Sequence, residues 1–381
     1  MSLKVALVHY WLTTYGGGEK CIEALCELWP GADIFTLVYD PKIFVNSVIS
    51  RHKVTPSFID RLPLARKKFR HYFPLFPFAV EQFDLRGYDV VISSSSGFAH
   101  GVITDPHQLH LCYMHTPLRY AWSGYHEYMD HPEIRSRWKN GLTRMILHRI
   151  RTWDYLAAQR VDEFIANSRE VQRRIWKYYR RQAHVIHPPI EVAKLAPASD
   201  QKKETFYLTF SRLVPYKRVD LIVEAFKAMP NHRLIVGGDG PELEKLKKMA
   251  QGAKHIEFIG FIPENEKINL LRQAKGFIFA AHEDFGMVPL EAQASGTPVI
   301  AFRKGGSLET VDENRTGVFF DLQSPESLID AISRFEAIDF DPENLSAWVG
   351  RFSVNNFQNK IRNFVQTSWN IYTSNKDQDH E

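Results

Sequence analysis

Two glutamates, Glu283 and Glu291, bracket the stretch EDFGMVPLE, with Gly286 and Pro289 between them. Pro289 suits the first turn of a helix, where its missing N–H has no intrahelical bond to lose. A helix starting there leaves the amides of Phe285, Gly286, Met287 and Val288 free at its N-terminus, and the helix dipole behind them favours an anion. Gly286 permits close approach of backbone to ligand. Glu291 is expected in the first helical turn, where the dipole stabilises an acid. A carboxylate placed against a phosphate would be repelled, so a neutral diol such as a ribose is the natural partner of Glu291. Glu283, across the loop, suits the hydroxyls of a second group. A sugar joined to a nucleoside through a diphosphate offers hydroxyls at both ends and charge in the middle. The plainer reading of the same spacing is a helix-start acid and a solvated loop acid.

The segment SRLVPYKRVDLIVEAF, residues 211–226, places Arg212 at a strand end and Lys217 at a helix start. Two cations there offset the roughly two negative charges of a diphosphate without a metal ion; otherwise they are solvated surface cations. His115 closes the run LHLCYMH before Thr116 and Pro117, placed to donate to a sugar hydroxyl or to developing charge. GGGEK (16–20) and GGDGPE (237–242) are glycine-rich turns that do not follow G-x-G-x-x-G. The Asp339–Asp341 and Asp377–Asp379 pairs follow no sheet strand, so neither is expected to hold a metal.

These residues need a scaffold that brings strand ends together. Short β-branched or aromatic runs alternate with helical patterns, which predicts parallel sheets covered by helices. The first series of strands is expected at 5–10, 89–94, 109–115 and 163–167, and the second at 206–211, 233–238, 256–261, 276–281 and 298–302. The small, polar and charged residues collect just after these runs, at the carboxyl edge where open α/β sheets bind ligands. The stretch HPPIEVAKLAPASDQKKET, rich in Pro, Ala and polar residues, reads as a linker between two doubly wound domains. Two such edges across a linker make a cleft, the favoured place for a ligand.

A chain of 381 residues is long enough for about two such domains. The three cysteines, Cys21, Cys26 and Cys112, are odd in number and show no metal spacing, which suits a reducing, cytoplasmic setting. The N-terminus reads as a first strand rather than a signal peptide, and no apolar stretch is long enough to span a membrane. A net charge of +4 excludes little. Basic and aromatic residues interleave in 64–78 and 135–153, which suits peripheral contact with an anionic membrane or a polyanionic acceptor, or equally a solvated helix face. Nucleic acid is not expected, since no nucleic-acid motif is present.

EDFGMVPLEAQASGTPVIA resembles the E-x7-E region of retaining GT-B glycosyltransferases of the large family 4, and SRLVPYKRVDLIVEAF is similar to that family's diphosphate-binding segment. GGGEK resembles its N-terminal glycine loop and HPPIEV its interdomain connection, while CYMHTPLRYAW looks like a subgroup of bacterial polysaccharide and O-antigen mannosyltransferases. The resemblance implies an α/β GT-B fold of two Rossmann-like domains facing across a cleft. It implies an acceptor domain over 1–188, a linker over 189–205, a donor domain over 206–354, a helix over 355–373 that crosses back, and a flexible tail over 374–381. By position, Glu283 would contact the donor sugar and Glu291 the ribose, Arg212 and Lys217 the leaving diphosphate, and Gly17 donor or acceptor. His115 would support the transferred sugar, and Asp284 with the amides of Phe285, Gly286, Met287 and Val288 would complete the cradle. The implied activity is metal-independent, retaining hexosyl transfer to a polysaccharide or lipid-linked acceptor at the inner face of the membrane. It needs no cofactor beyond the nucleotide-sugar donor, and UDP-glucose and GDP-mannose both remain open. A nucleotide-sugar 2-epimerase of the same fold is a second reading and would need carboxylates poised to abstract a proton. A non-catalytic nucleotide-sugar-binding protein is a third, and would be expected to have lost part of this set.

Overall fold

A computed structural model describes residues 3–130, 137–196 and 203–378. Parts of three sequence expectations lie outside them: 135–136 of the second basic segment, 197–202 of the linker, and 379–381, which include Asp379. The chain forms two compact units, Met1–Pro189 with Asn355–Glu381, and Ile190–Val354.

In the first unit, seven strands among the described residues form one sheet. They are β1 (Val5–His9), β2 (Asp33–Thr36), β3 (Val54–Pro56), β4 (Val90–Ser95), β5 (Leu109–Met114), β6 (Glu163–Ala166) and β7 (His184–Val185). Their order is β3-β2-β1-β4-β5-β6-β7 and every pairing is parallel. Strands β1, β4 and β5 are buried along their whole length, as expected for a sheet covered on both faces.

The second unit repeats the plan with β8 (Phe206–Phe210), β9 (Arg233–Gly237), β10 (Ile256–Gly260), β11 (Gly276–Phe279), β12 (Val299–Phe302) and β13 (Gly317–Phe320). The order is β10-β9-β8-β11-β12-β13, again parallel throughout. In each sheet the chain winds outward from a central strand and then returns to its other side. The reversal falls between β1 and β4 in one unit and between β8 and β11 in the other. At such a switch point the crossover connections leave in opposite directions, so the carboxyl ends of the two central strands are left uncovered.

The stretch expected to be a linker is in part an element of the second unit. Residues Val192–Leu195 form a short helix, and Ile190 and Leu195 are buried with Ile268, Phe285, Leu290, Val349 and Phe352. Ile190 also donates its amide to the Phe352 carbonyl at 2.8 Å. Ile190, Val192 and Leu195 supply enough apolar surface to pack, despite the surrounding Pro and Ala.

The last helix, Val354–Gln378, belongs to the first unit from Asn355 onward. Phe357, Ile361 and Val365 are buried at intervals of four residues, so one helical stripe faces inward. The Phe357 ring meets Tyr113 of β5 edge-on at 5.6 Å, and Gln358 donates to the Ala24 carbonyl at 3.1 Å. Phe357→Ala is expected to lower the stability of the first unit by about 3–5 kcal/mol, the usual loss for a buried Phe. Denaturant unfolding of the full chain measures this, and a loss below about 1 kcal/mol would contradict the packing role.

Candidate functional site

The β8–β11 switch point collects most of the charged residues singled out in the sequence. Beyond β8, Pro215–Lys217 forms a 3-10 turn that delivers Lys217 to the start of helix Val219–Lys227. Beyond β11, residues 280–286 form the loop that carries Glu283. Lys217 Nζ and Glu283 Oε1 meet as an ion pair, with side chains only 17% and 19% exposed. A half-buried cation and anion this close hold each other without a competing layer of water, which keeps both extended into the same spot.

The loop ends at Gly286, whose φ of 83° places it in the left-handed region that glycine adopts without strain. That turn starts the helix Met287–Ala294. Pro289 lies in its first turn, as expected, but Glu291 is the fifth helical residue and no acid occupies the first turn. The expected dipole-stabilised placement is therefore corrected. Glu291 is 5% exposed and is held instead by Lys267, whose Nζ lies 3.3 Å from Oε2 and also pairs with Glu264 at 2.8 Å. Lys267 comes from helix Glu264–Gln273, which follows β10.

Phe285 turns its ring inward, 5.9 Å from Phe352, so the aromatic side chain anchors the loop and only its backbone is left for a ligand. The loop is clamped from behind by the turn after β12. Gly306 donates its amide to the Glu283 carbonyl at 2.9 Å, and a Cβ on Gly306 would lie 2.2 Å from Phe285 Cα. No side chain fits there, so the glycine sets how close the two loops come. Asp284, Met287 and Val288 flank this cradle in sequence.

Arg212 is exposed, and its guanidinium has no partner among the described residues. It lines a cavity of about 410 Å³ with Phe210, Ser211, Gly238, Asp239, Phe261, Ile262 and Lys267. That volume is in the range of small-molecule sites. The turn GGDGPE forms one wall and is tied to the end of β8 by Leu213 N–H to Asp239 O at 2.9 Å. Phe261 is 79% exposed, an unusual state for a large apolar ring. Lys267 thus joins the cavity that holds Arg212 to the carboxylate of Glu291. Neither Lys267 nor Phe261 was singled out in the sequence. Both follow β10, so position at a strand's carboxyl end was the available signal.

In the first unit the β1–β4 switch point carries histidines and a serine with a single carboxylate. His115 follows β5, and its Nε2 lies 2.8 Å from Ser94 Oγ on β4. Ser94 Oγ is also 3.0 Å from His9 Nδ1 on β1, and His9 Nε2 faces Glu19 Oε1 at 3.7 Å. Gly17 opens the helix Gly17–Leu28 that carries Glu19 in its first turn. A second buried cluster lies deeper. His110 Nε2 meets Ser93 Oγ at 2.9 Å, and His100 stands 3.4 Å from Asp154, which accepts from Trp122 at 2.7 Å and Tyr179 at 2.8 Å.

The three cysteines are buried, with thiol pKa values raised by burial, which makes them inert as nucleophiles. Asp341 caps the helix Pro342–Gly350 through the Glu343 amide at 2.9 Å, a structural use of that residue. No group of three His, Cys, Asp or Glu side chains suited to a metal occurs among the described residues, and none of their helices is long and apolar enough to cross a membrane.

Comparison with known proteins gives a consistent likeness. Residues 15–194 match the family model described as Glycosyltransferase Family 4, and residues 194–347 match the one described as Glycosyl transferases group 1. A GDP-mannose-dependent alpha-(1-6)-phosphatidylinositol monomannoside mannosyltransferase of Mycobacterium tuberculosis is 36% identical over 138 residues, 32% of this chain and 36% of that protein. A D-inositol 3-phosphate glycosyltransferase of Corynebacterium glutamicum is 30% identical over 201 residues, 45% of this chain and 48% of that protein. The matched stretch thus spans about a third to a half of these relatives' length. Anabaena HepE, solved in complex with UDP-glucose, superposes over 95% of this chain and 99% of its own, with a TM-score of 0.70 and 18% identity. That neighbour supports a GT-B fold of two Rossmann-like domains.

The buried titratable groups set a pH dependence. Burial pushes the imidazoles of His110 and His115 down to about 3 and that of His100 to about 4, and pushes the Asp154 carboxyl up to about 7. Each histidine stays neutral in the folded chain but takes a proton in the unfolded chain below about 6.5, so its contribution to stability is lost as pH falls. Asp154 acts oppositely, because its folded carboxyl keeps a proton that the unfolded chain releases. Three histidines outweigh one carboxyl. The first unit should therefore lose stability on acidification from pH 6.5 to 4.5, by up to about 1.4 kcal/mol per pH unit for each net proton. Denaturation midpoints across that range measure it, and a flat or rising profile would contradict the assignment.

Proposed function

Because the chain belongs to the glycosyltransferases of family 4, group 1, we propose that it moves a hexose from a nucleotide-diphosphate sugar to a polysaccharide or lipid-linked acceptor, without a metal and with retention at the anomeric carbon. The observation that carries this reading is the gathering of Arg212, Lys217 and Glu283 at one switch point, with Glu291 linked to the Arg212 cavity through Lys267. Donors of the GDP-mannose and UDP-glucose types both fit it. The Mycobacterium relative is named for the first, and Anabaena HepE was solved with UDP-glucose.

The roles follow from charge. Breaking the bond between the anomeric carbon and the phosphate leaves negative charge on the diphosphate and oxocarbenium character on the sugar. Cations fixed where that charge develops lower the barrier without reorganising, usually the largest catalytic term. Lys217 serves this role, turning from Glu283 to the departing phosphate, while Arg212 supplies the second positive charge. The amides at the start of helix Met287–Ala294 add partial positive charge on the same side. Glu283, released by Lys217, accepts hydrogen bonds from the sugar hydroxyls. Glu291 accepts from the ribose diol, and the base enters the cavity beside Phe261, whose exposed ring offers a stacking face. The acceptor hydroxyl attacks the same face of the sugar from which the diphosphate leaves and passes its proton to the departing phosphate oxygen, so no enzyme nucleophile is required.

A lipid-linked acceptor would require approach to a bilayer. In the first unit Leu64, Leu75 and Phe78 stand 63%, 41% and 58% exposed beside exposed Lys67, Lys68 and Arg70. Apolar side chains among cations match the boundary of an anionic membrane. The full chain is expected to co-sediment with phosphatidylglycerol vesicles and to lose that affinity in Lys67→Glu/Lys68→Glu. Equal recovery with phosphatidylcholine vesicles, or no binding to either, would contradict docking.

Calorimetric titration with a panel of nucleotide sugars tests the main reading. One donor should bind saturably, and Glu291→Ala should weaken it about 10- to 100-fold, the worth of a charged hydrogen bond. Lys217→Ala should lower kcat about 100- to 1,000-fold with a smaller effect on donor affinity. Absence of affinity for every nucleotide sugar, or wild-type kinetics in both variants, would reject the assignment.

A further inference from the structure

The polar groups at the β1–β4 edge form a single file with a direction. Glu19, His9 and Ser94 are 3%, 1% and 0% exposed, so bulk water does not reach them. Ser94 Oγ contacts an imidazole on either side, His9 Nδ1 at 3.0 Å and His115 Nε2 at 2.8 Å. A hydroxyl has one proton, so it donates to one ring and must accept from the other.

The Glu19 carboxylate decides which. It lies 3.7 Å from His9 Nε2 and is the acidic group that faces this nitrogen. In a water-free setting a carboxylate attracts an N–H and repels a lone pair. His9 therefore carries its proton on Nε2 and presents a bare Nδ1. Ser94 donates to that nitrogen, and its oxygen is then left to accept from Nε2–H of His115. A neutral imidazole protonated on Nε2 is bare at Nδ1.

We infer that Glu19, acting through His9 and Ser94, fixes the tautomer of His115 so that its Nδ1 is a hydrogen-bond acceptor for a substrate hydroxyl. This reverses the donor role expected for His115 from its position in the sequence. Nδ1 has no partner among the described residues, and His115 keeps 9% of its surface exposed. Burial holds the ring neutral at ordinary pH, with its pKa near 3. So weak a base orients a hydroxyl without removing its proton. Glu19, His9 and Ser94 are positioning residues. The substrate hydroxyl rests on the proposed function; the tautomer rests on the geometry alone.

Histidine-selective 15N labelling of the full chain, read by long-range 1H–15N correlation, tests the tautomer directly. The His115 signals, assigned with His115→Gln, should show a pyrrole-type Nε2 and a pyridine-type Nδ1. Glu19→Asp should keep this pattern, whereas Glu19→Gln and Ser94→Ala should shift His115 toward a mixture of tautomers. A wild-type His115 protonated on Nδ1, as an imidazolium at His9 would produce, overturns the inference, as does an unchanged His115 in a folded Glu19→Gln chain. The wild-type spectrum decides even if a variant fails to fold. Failure of donor binding would instead reject the proposed function and leave the tautomer standing.

Discussion

The reversal of strand order between β8 and β11 is the constraint on which the candidate site depends. Parallel strands need crossover helices, and where the winding changes direction those helices part and leave two strand ends bare. One bare end delivers Arg212 and Lys217, and the other delivers Glu283. Residues 66 positions apart in the chain thereby meet as an ion pair that no local segment could form. The same reversal between β1 and β4 sets the strand ends that carry His9 and Ser94 side by side.

Charge is handled differently at the two edges, and the difference has a physical basis. In the second unit the two site carboxylates each meet a lysine, Glu283 with Lys217 and Glu291 with Lys267, which Glu264 shares. A half-buried charge without a partner would cost several kcal/mol, so these pairs keep ionised groups in place before any ligand arrives. An anionic guest can then take over a cation that is already positioned. In the first unit the groups at the edge are almost wholly removed from water, and there the chain uses two imidazoles and a hydroxyl with one carboxylate to orient them. One edge is built to receive charge and the other to direct hydrogen bonds.

Much of this was legible in the sequence. All nine expected strands are present, displaced at their ends by a residue or two, because each is a run rich in β-branched or aromatic residues, and most are buried along nearly their whole length. Strands β2, β3, β7 and β13 were missed. β3 and β7 have three and two residues and lie at a sheet edge, too short for periodicity to mark. Arg212, Lys217 and Glu283 were visible as charged residues just past strands. Glu291 was placed one turn too early, because Pro289 marks the first turn but Gly286 sets where the helix begins. Lys267 and Glu19 were not singled out, since each matters through a partner on another element, and single-residue spacing carries no record of that. His115 was found, but the acceptor role inferred for it depends on the file of groups behind it, which its position in the sequence does not record.

The central claim is that the β8–β11 switch point binds a diphosphate. A crystal structure of the full chain with the nucleotide sugar that binds it tests this most directly. The account predicts phosphate oxygens within hydrogen-bond distance of Arg212 and of a Lys217 turned away from Glu283, with the ribose diol on Glu291. A diphosphate bound elsewhere, with the Lys217–Glu283 pair intact, would contradict it.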